Sequence, residues 1–148
     1  MVAARLRQGD QALVLGEQEV DALSGAVTFD IALAKSQTTD GMDITITAID
    51  ADGNTVAEVV PFEWWISEAA TGIGLTADTY SGDVTASVGG ILTALTSKKH
   101  FKAVTAATGI FKATAVASAN PADQYVAVAK PLGGVVVSEA SGTNWEGA

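Results

Sequence analysis

The sequence contains no cysteine, which excludes disulfide bonds and thiolate chemistry. It has only three prolines, and aromatic residues make up 6% of the chain. No apolar run approaches the roughly 20 residues that a membrane-spanning helix needs. Polar residues follow Arg5 and Arg7, where a signal peptide would carry its apolar segment. We therefore expect a protein that acts without Sec export and without a membrane partner.

Basic residues are also scarce, because eight Lys and Arg stand against 17 Asp and Glu and give a formal net charge of −9. Phosphate contact needs clustered Lys and Arg, so we expect no nucleic-acid partner. The charge is uneven: residues 1–83 hold 14 acidic and three basic residues, and residues 84–148 hold three acidic and five basic residues. This polarity is compatible with ordinary solubilising charge and also with head-to-tail contact between copies.

Small apolar and β-branched residues dominate the composition of the chain. Apolar residues reach 48%, and charged residues make up only 17%, against roughly 25% in an average soluble protein. That balance is too apolar for a disordered chain, and 148 residues suit one domain. Together with 15 glycines, it predicts short strands joined by tight turns.

The apolar pattern has a period of two from Val27 onward, which is typical of strands with one buried face. Strand-like segments recur every 8–12 residues and include a short one at 75–80, so we expect about eight strands in all. The prediction is an all-β protein with a single β-sandwich, Ig-like or jelly-roll in arrangement, over residues 17–140. Residues 1–16 are predicted to form an extended N-terminal arm, and residues 141–148 a polar C-terminal tail.

The segment 50–54, Asp-Ala-Asp-Gly-Asn, carries the residues of a tight turn, because Asp supports local hydrogen bonds and Gly supplies a positive φ. A calcium-binding EF loop would place its glycine sixth, whereas Gly53 is fourth here. The pattern therefore favours a hairpin turn over a calcium site.

Trp64 and Trp65 are adjacent, so on a strand they face opposite sides. One indole can anchor the core, and the other must be exposed, covered by a loop or placed at an interface, where Trp is enriched. A second interpretation is a sugar site, in which Glu63 and Glu68 would supply carboxylates for glycoside hydrolysis.

His100 is the only histidine and lies among lysines, which disfavour its protonation and metal binding. The sequence lacks a nucleophile elbow, a metalloprotease motif and a phosphate-binding loop. We therefore predict no enzyme, no catalytic residue, no metal and no cofactor. The lysines themselves, Lys98, Lys99 and Lys102, are interpreted either as a solvated surface or as a docking patch for the acidic half of a neighbouring copy.

Two stretches resemble small β-sandwich structural proteins of tailed bacteriophages: ITITAIDADGN at 44–54 and FEWWISE at 62–68. In those proteins a strand that ends in an Asp-x-Asp-Gly turn precedes a strand with aromatic residues and a Ser-acid pair. The segments 108–114 and 125–138 extend the resemblance, although residues 105–109 lack the acid of the usual Thr-Asp-x-x-Gly.

The resemblance implies a virion protein, either a head decoration (cement) protein or a fibre or tail component. We expect a capsid decoration protein that binds adjacent major-capsid subunits as a trimer or dimer, in a virion assembled in the host cytoplasm. The alternatives are a fibre, tail or baseplate module that contacts host surface glycans, and a cell-wall glycan hydrolase. The predicted partner-binding residues are Leu6, Leu13, Val14, Leu15, Trp64, Trp65, Lys98, Lys99, Lys102 and Trp145.

Overall fold

A computed structural model describes residues 25–38, 40–78, 80–117, 121 and 123–145. These residues form nine strands and one short 3-10 helix, Gly142–Trp145. The strands are β1 (Thr28–Lys35), β2 (Gly41–Ile49), β3 (Pro61–Ser67), β4 (Thr85–Val88), β5 (Gly90–Thr96), β6 (His100–Val104), β7 (Ile110–Val116), β8 (Tyr125–Ala129) and β9 (Val135–Val137).

The strands form two antiparallel sheets that pack against each other, which confirms the predicted β-sandwich. One sheet has five strands in the order β9-β8-β3-β6-β5, and the other has four in the order β1-β2-β7-β4. Every pairing between these strands is antiparallel. In the part of the chain that the structure describes, no helix has the length and apolarity that a membrane crossing requires.

Alternation along the strands decides which side chains enter the core. On β2 the even-numbered residues from Met42 to Ala48 are fully buried, and Thr45 and Thr47 between them are partly exposed. Aromatic rings fill the centre between the sheets: Trp64 lies 4.7 Å from Phe101, and Phe62 lies 5.3 Å from Phe111, measured between ring centroids. Aliphatic side chains such as Met42, Ile44 and Ile66 complete the buried core together with several alanines.

Two glycines allow backbone segments to approach closely. Gly109 has φ +79°, and a Cβ at this position would overlap the carbonyl oxygen of Val56. Gly89 has φ +75° at the point where the chain passes from β4 in one sheet to β5 in the other, and a Cβ there would overlap the carbonyl oxygen of Val104. Only glycine satisfies both the positive φ and the lack of space.

The turn at 50–54 forms as predicted. Asp50 Oδ1 accepts hydrogen bonds from the backbone N of Asp52 and Asn54, both over 2.9 Å, and Gly53 has φ +87°. The predicted strand at 75–80 is wrong, because its described residues lie in an irregular segment. That segment follows a loop that folds over the five-stranded sheet. The backbone N of Thr76 donates to the carbonyl oxygen of Ile66 in β3 over 2.8 Å, but the described residues do not continue this contact as a strand.

The described part of the predicted C-terminal tail belongs to the body of the sandwich. The backbone N of Ser141 donates to the carbonyl oxygen of Gln124 over 2.8 Å, and Trp145 is fully buried with its ring 5.5 Å from Tyr80. The folded unit therefore continues beyond residue 140. The predicted arm at 1–16, with Leu6, Leu13, Val14 and Leu15, lies outside the described residues, as do residues 17–24 and 146–148.

Candidate functional site

A loop of residues 68–76 (the 68–76 loop) lies over the outward side of the five-stranded sheet. Ser67 Oγ accepts a hydrogen bond from the backbone N of Ala69 and donates to the carbonyl oxygen of Ile73. Glu68 Oε2 accepts from Thr76 Oγ1 over 3.1 Å and from the backbone N of Ala77 over 2.6 Å. These bonds close the loop at both ends.

Gly72 holds the middle of the 68–76 loop against the sheet. Its φ is +76°, and a Cβ here would lie about 3 Å from side-chain atoms of Ala127 and Val137. Its carbonyl oxygen accepts a hydrogen bond of 2.8 Å from Trp65 Nε1. The 68–76 loop therefore holds the outward indole of Trp65 and covers part of it. Coverage by a loop was one of the three placements that the sequence allowed for this indole.

Beside this contact lies a cavity of about 420 Å³, which we call the Trp65 cavity. Its side-chain lining consists of Glu63, Trp65, Ile73, Leu75, His100 and Val135. Apolar groups form most of this lining, and Ile73 at its rim is 78% exposed. It is an open depression of the surface, wide enough for a bulky side chain of a partner or part of a small ligand to lie against it.

One pair of polar side chains lies in the Trp65 cavity. His100 Nε2 donates to Glu63 Oε2 over 2.6 Å, and the His100 ring stands edge-on to Trp65 with centroids 5.5 Å apart. The pair arises from strand register, because Trp65 opposes His100 across β3 and β6, and Glu63 opposes Lys102. In the sequence His100 lies among lysines, and no local pattern indicates this carboxylate partner.

A second cavity of about 300 Å³ adjoins the first and shares Glu63 with it. Pro61, Leu92 and Lys102 also line it, and Leu92 is 64% exposed. Leu92 lies where the pairing of β5 with β6 shifts register between Ile91 and Thr93, and such a bulge re-aims a side chain. We call it the Leu92 cavity.

The two cavities together form one surface, which we call the outer face. It consists of Pro61, Glu63, Trp65, Ile73, Leu75, Leu92, His100, Lys102 and Val135. Four of its large hydrophobic side chains are more than one-third exposed in the isolated chain: Ile73, Leu75, Leu92 and Val135. Sequence reasoning missed all four, although an isoleucine between Gly72 and Gly74 in a loop is a local signal of an exposed apolar residue.

The predicted tryptophans divide between the core and the surface. Trp64 and Trp65 face opposite sides of β3, as predicted, and Trp64 is fully buried while Trp65 is partly exposed on the outer face. Trp145 is also fully buried. Neither Trp64 nor Trp145 presents surface to a partner in this fold, because both rings fill the space between the sheets.

Two of the predicted lysines bond to the protein's own backbone. Lys98 Nζ donates to the carbonyl oxygen of Tyr80 over 3.0 Å, and Lys99 Nζ donates to that of Thr76 over 2.8 Å. They tie the β5–β6 turn to the end of the 68–76 loop and to Tyr80 beyond it, a role that neither interpretation of the cluster included. Lys102 is exposed on the outer face.

Behind the loop lies a buried polar network. Tyr80 Oη donates to Gln124 Oε1 over 3.1 Å, and Gln124 Nε2 donates to Asp78 Oδ2 over 2.8 Å. Burial raises the pKa of Tyr80 well above its ordinary value, and the charges of Asp78 and Glu68 raise it further. The phenol therefore stays protonated as a hydrogen-bond donor.

The carboxylates that suggested hydrolysis are not brought to one cavity. Glu63 lines the two cavities of the outer face, whereas Glu68 lines neither and bonds to Thr76 and Ala77. Among the described residues, no group of three or more His, Asp or Glu side chains is placed to hold a metal ion.

Comparison with known proteins adds no assignment to this geometry. No protein-family model, curated protein or solved structure matches the chain. The fold, the outer face and the stretches that resemble virion proteins are therefore the features that bear on function.

Proposed function

We propose that this protein is a non-enzymatic structural subunit that binds other protein subunits through its outer face. We further propose that it serves in a tailed-phage particle as a capsid decoration protein, which stabilises adjacent major-capsid subunits. Its working form is an oligomer located in the virion. The partners are the major capsid protein and further copies of the chain.

One observation carries this proposal: the outer face exposes several large apolar side chains next to a cavity. Ile73 is 78% exposed and Leu92 is 64% exposed, and they border two cavities that share Glu63. Contiguous exposed apolar surface rimmed by polar groups is characteristic of protein–protein interaction sites. The partly exposed Trp65 supplies the kind of anchor on which interface energy is concentrated.

The rest of the molecule supports the same function. A sandwich with an aromatic cluster at its centre gives a rigid body, which a clamp between shell subunits requires. Many copies on a symmetric shell add avidity, so each contact can be weak. The placement in a phage particle depends on the resemblance of residues 44–54 and 62–68 to virion structural proteins, and the outer face is independent of that placement.

Co-sedimentation tests this function. The full-length chain is mixed with undecorated shells of the phage that carries its gene, and we expect it to pellet with them up to a fixed number of copies per shell. Shells that already carry the protein are the control and should retain no more. Failure of the full-length chain to pellet with undecorated shells would show that the decoration function is wrong.

A matched pair of variants tests whether the outer face is used. Ile73→Glu places a charge at the rim of the Trp65 cavity, and we expect it to reduce retention on shells. Leu132→Glu is the control, because Leu132 is 67% exposed at the β8–β9 turn and lines neither cavity of the outer face. If both variants were retained on shells equally, the outer face would not contribute to shell binding.

The Trp65 cavity also favours a second candidate, a fibre, tail or baseplate module that contacts host surface glycans. Aromatic faces beside carboxylates are suited to sugars, and Trp65 lies partly exposed beside Glu63 in a cavity of about 420 Å³. Titration with oligosaccharides from the host cell surface should then change tryptophan fluorescence, and Trp65→Ala should abolish the change. An unchanged spectrum at saturating sugar would contradict this candidate.

A further inference from the structure

Charge on the outer face is balanced, in contrast to the acidic chain as a whole. Glu63 and Lys102 oppose each other across β3 and β6, and His100 bonds to the Glu63 carboxylate. The net charge of the chain is −9, so two copies repel each other across most orientations. In a contact between two outer faces, each copy contributes one acidic residue, Glu63, and one basic residue, Lys102, beside apolar groups. This contact therefore avoids the repulsion between like charges.

The same surface combines protrusions with hollows. Ile73 is 78% exposed and borders the Trp65 cavity, and Leu92 is 64% exposed and borders the Leu92 cavity; both cavities are open depressions. Glu63 lies between the two cavities because it lines both of them. A two-fold interface requires this self-complementarity, since each copy must supply both the protruding group and the hollow that receives it.

We propose that the occupant of the outer face is a second copy of this chain, in a two-fold dimer whose axis passes beside Glu63 and Lys102. Each Glu63 carboxylate meets the Lys102 ammonium of the other copy. Ile73 of one copy enters the Leu92 cavity of the other, and Leu92 enters the Trp65 cavity. This inference rests on the proposed function, because it takes the outer face as a protein-binding surface.

The dimer leaves the opposite side of each sandwich free for the shell. The outward side of the four-stranded sheet carries Asp43, Thr45, Lys112 and Thr114, and a polar hollow of about 250 Å³ lies there. The apolar outer faces are then covered within the dimer. The polar sheets face away from the dimer interface, where shell subunits can reach them. Ile73→Glu then lowers retention on shells because it separates the two copies and removes the avidity of the dimer.

Sedimentation velocity of single charge variants tests the contact. We expect the full-length protein to dimerise over a concentration series, and Glu63→Lys and Lys102→Glu each to weaken homodimers about tenfold or more. Circular dichroism checks that each variant is folded. Homodimers of both variants as tight as the unaltered dimer would overturn the proposal.

Mixing the two variants separates contact between copies from effects within one chain. Glu63→Lys carries two basic residues at the contact and Lys102→Glu carries two acidic ones, so opposite charges meet only between unlike chains. We expect the mixture to form heterodimers with affinity close to that of the unaltered homodimer. A mixture that stays as poorly associated as its components would exclude the proposed pairing.

Apolar variants provide a second test that does not depend on charge pairing. Ile73→Glu should convert the protein to a monomer, and Leu132→Glu should leave the dimer intact. A protein that binds shells while remaining monomeric would refute the dimer and retain the decoration function. A protein that dimerises through this face but does not bind shells would retain the dimer and refute the decoration function.

Discussion

At the scale of single residues, glycines allow two backbone segments to approach each other closely. Gly109→Ala should lower the free energy of unfolding by about 3 kcal/mol or more, because the new Cβ overlaps the Val56 carbonyl oxygen at a positive φ. Gly53→Ala is the matched control. Its φ is +87° and no atom lies within 4 Å of the added Cβ, so it should cost only about 1 kcal/mol.

Urea denaturation of the two glycine variants measures this difference. Equal losses of unfolding free energy would mean that the close approach of residues 56 and 109 contributes nothing beyond the cost of the positive φ. The difference between the two variants does not come from local sequence, because both glycines lie in turns. Only Gly109 faces a neighbouring backbone.

Tyr80 gives the molecule a predictable response to alkaline pH. Its pKa is raised in the folded protein by burial and by nearby carboxylates, so its stabilising contribution is complete below the pKa of an unfolded tyrosine, about 10. As pH rises above about 10 the unfolded chain releases the proton first, and stability falls until the folded phenol also ionises. Tyr80→Phe should flatten this alkaline loss.

The measurement is the urea midpoint of both proteins between neutral pH and about pH 11. Ultraviolet titration of a Tyr125→Phe variant then reports Tyr80 alone, since the chain has two tyrosines. An identical fall of the midpoint with pH in the presence and absence of Tyr80 would contradict the role assigned to its burial.

At the scale of elements, the 68–76 loop is held by Glu68, which only the alternative hydrolase interpretation of the sequence had used. Glu68→Ala removes the acceptor for Thr76 Oγ1 and the backbone N of Ala77. A charge-assisted hydrogen bond at an exposed site contributes about 1 kcal/mol. The amide of Ala77 should therefore exchange with solvent about fivefold faster.

Glu58→Ala is a suitable control for the loop, because Glu58 is also an exposed acid and lies before β3. It should leave exchange at Ala77 unchanged. If Glu68→Ala also left this exchange unchanged, the loop would owe its position to Gly72 and Trp65 rather than to its terminal carboxylate. The indole Nε1 signal of Trp65 reports that contact separately.

At the scale of the whole molecule, the segment after β9 completes the core. Trp145 is fully buried against Tyr80, so Trp145→Ala should cost about 3–5 kcal/mol of unfolding free energy. Trp65→Ala should cost less, because Trp65 is partly exposed. Thermal and urea unfolding compare the two variants, and a larger loss for Trp65→Ala would contradict the core assignment of Trp145.

Much of the sandwich follows from the sequence alone, because a period of two is a local property. It predicted the strands around Val27–Leu33, 44–49 and 125–129, the turn at 50–54, and the opposite facing of Trp64 and Trp65. It failed at 75–80, where the described residues look strand-like and Thr76 bonds to Ile66 of β3, but the contact does not extend into a strand pair. It also assigned Trp145 to a tail, since no local pattern shows that a distant segment returns to the core.

The sequence by itself determined the class of fold and which side of each strand is buried, because side chains alternate along any strand. Only the tertiary structure decided which strands are neighbours. The Glu63–His100 pair spans 37 residues and exists because β3 and β6 pair in one register. The outer face arises in the same way, since it joins residues of β3, β5, β6 and β9 with a loop that no local pattern connects to them.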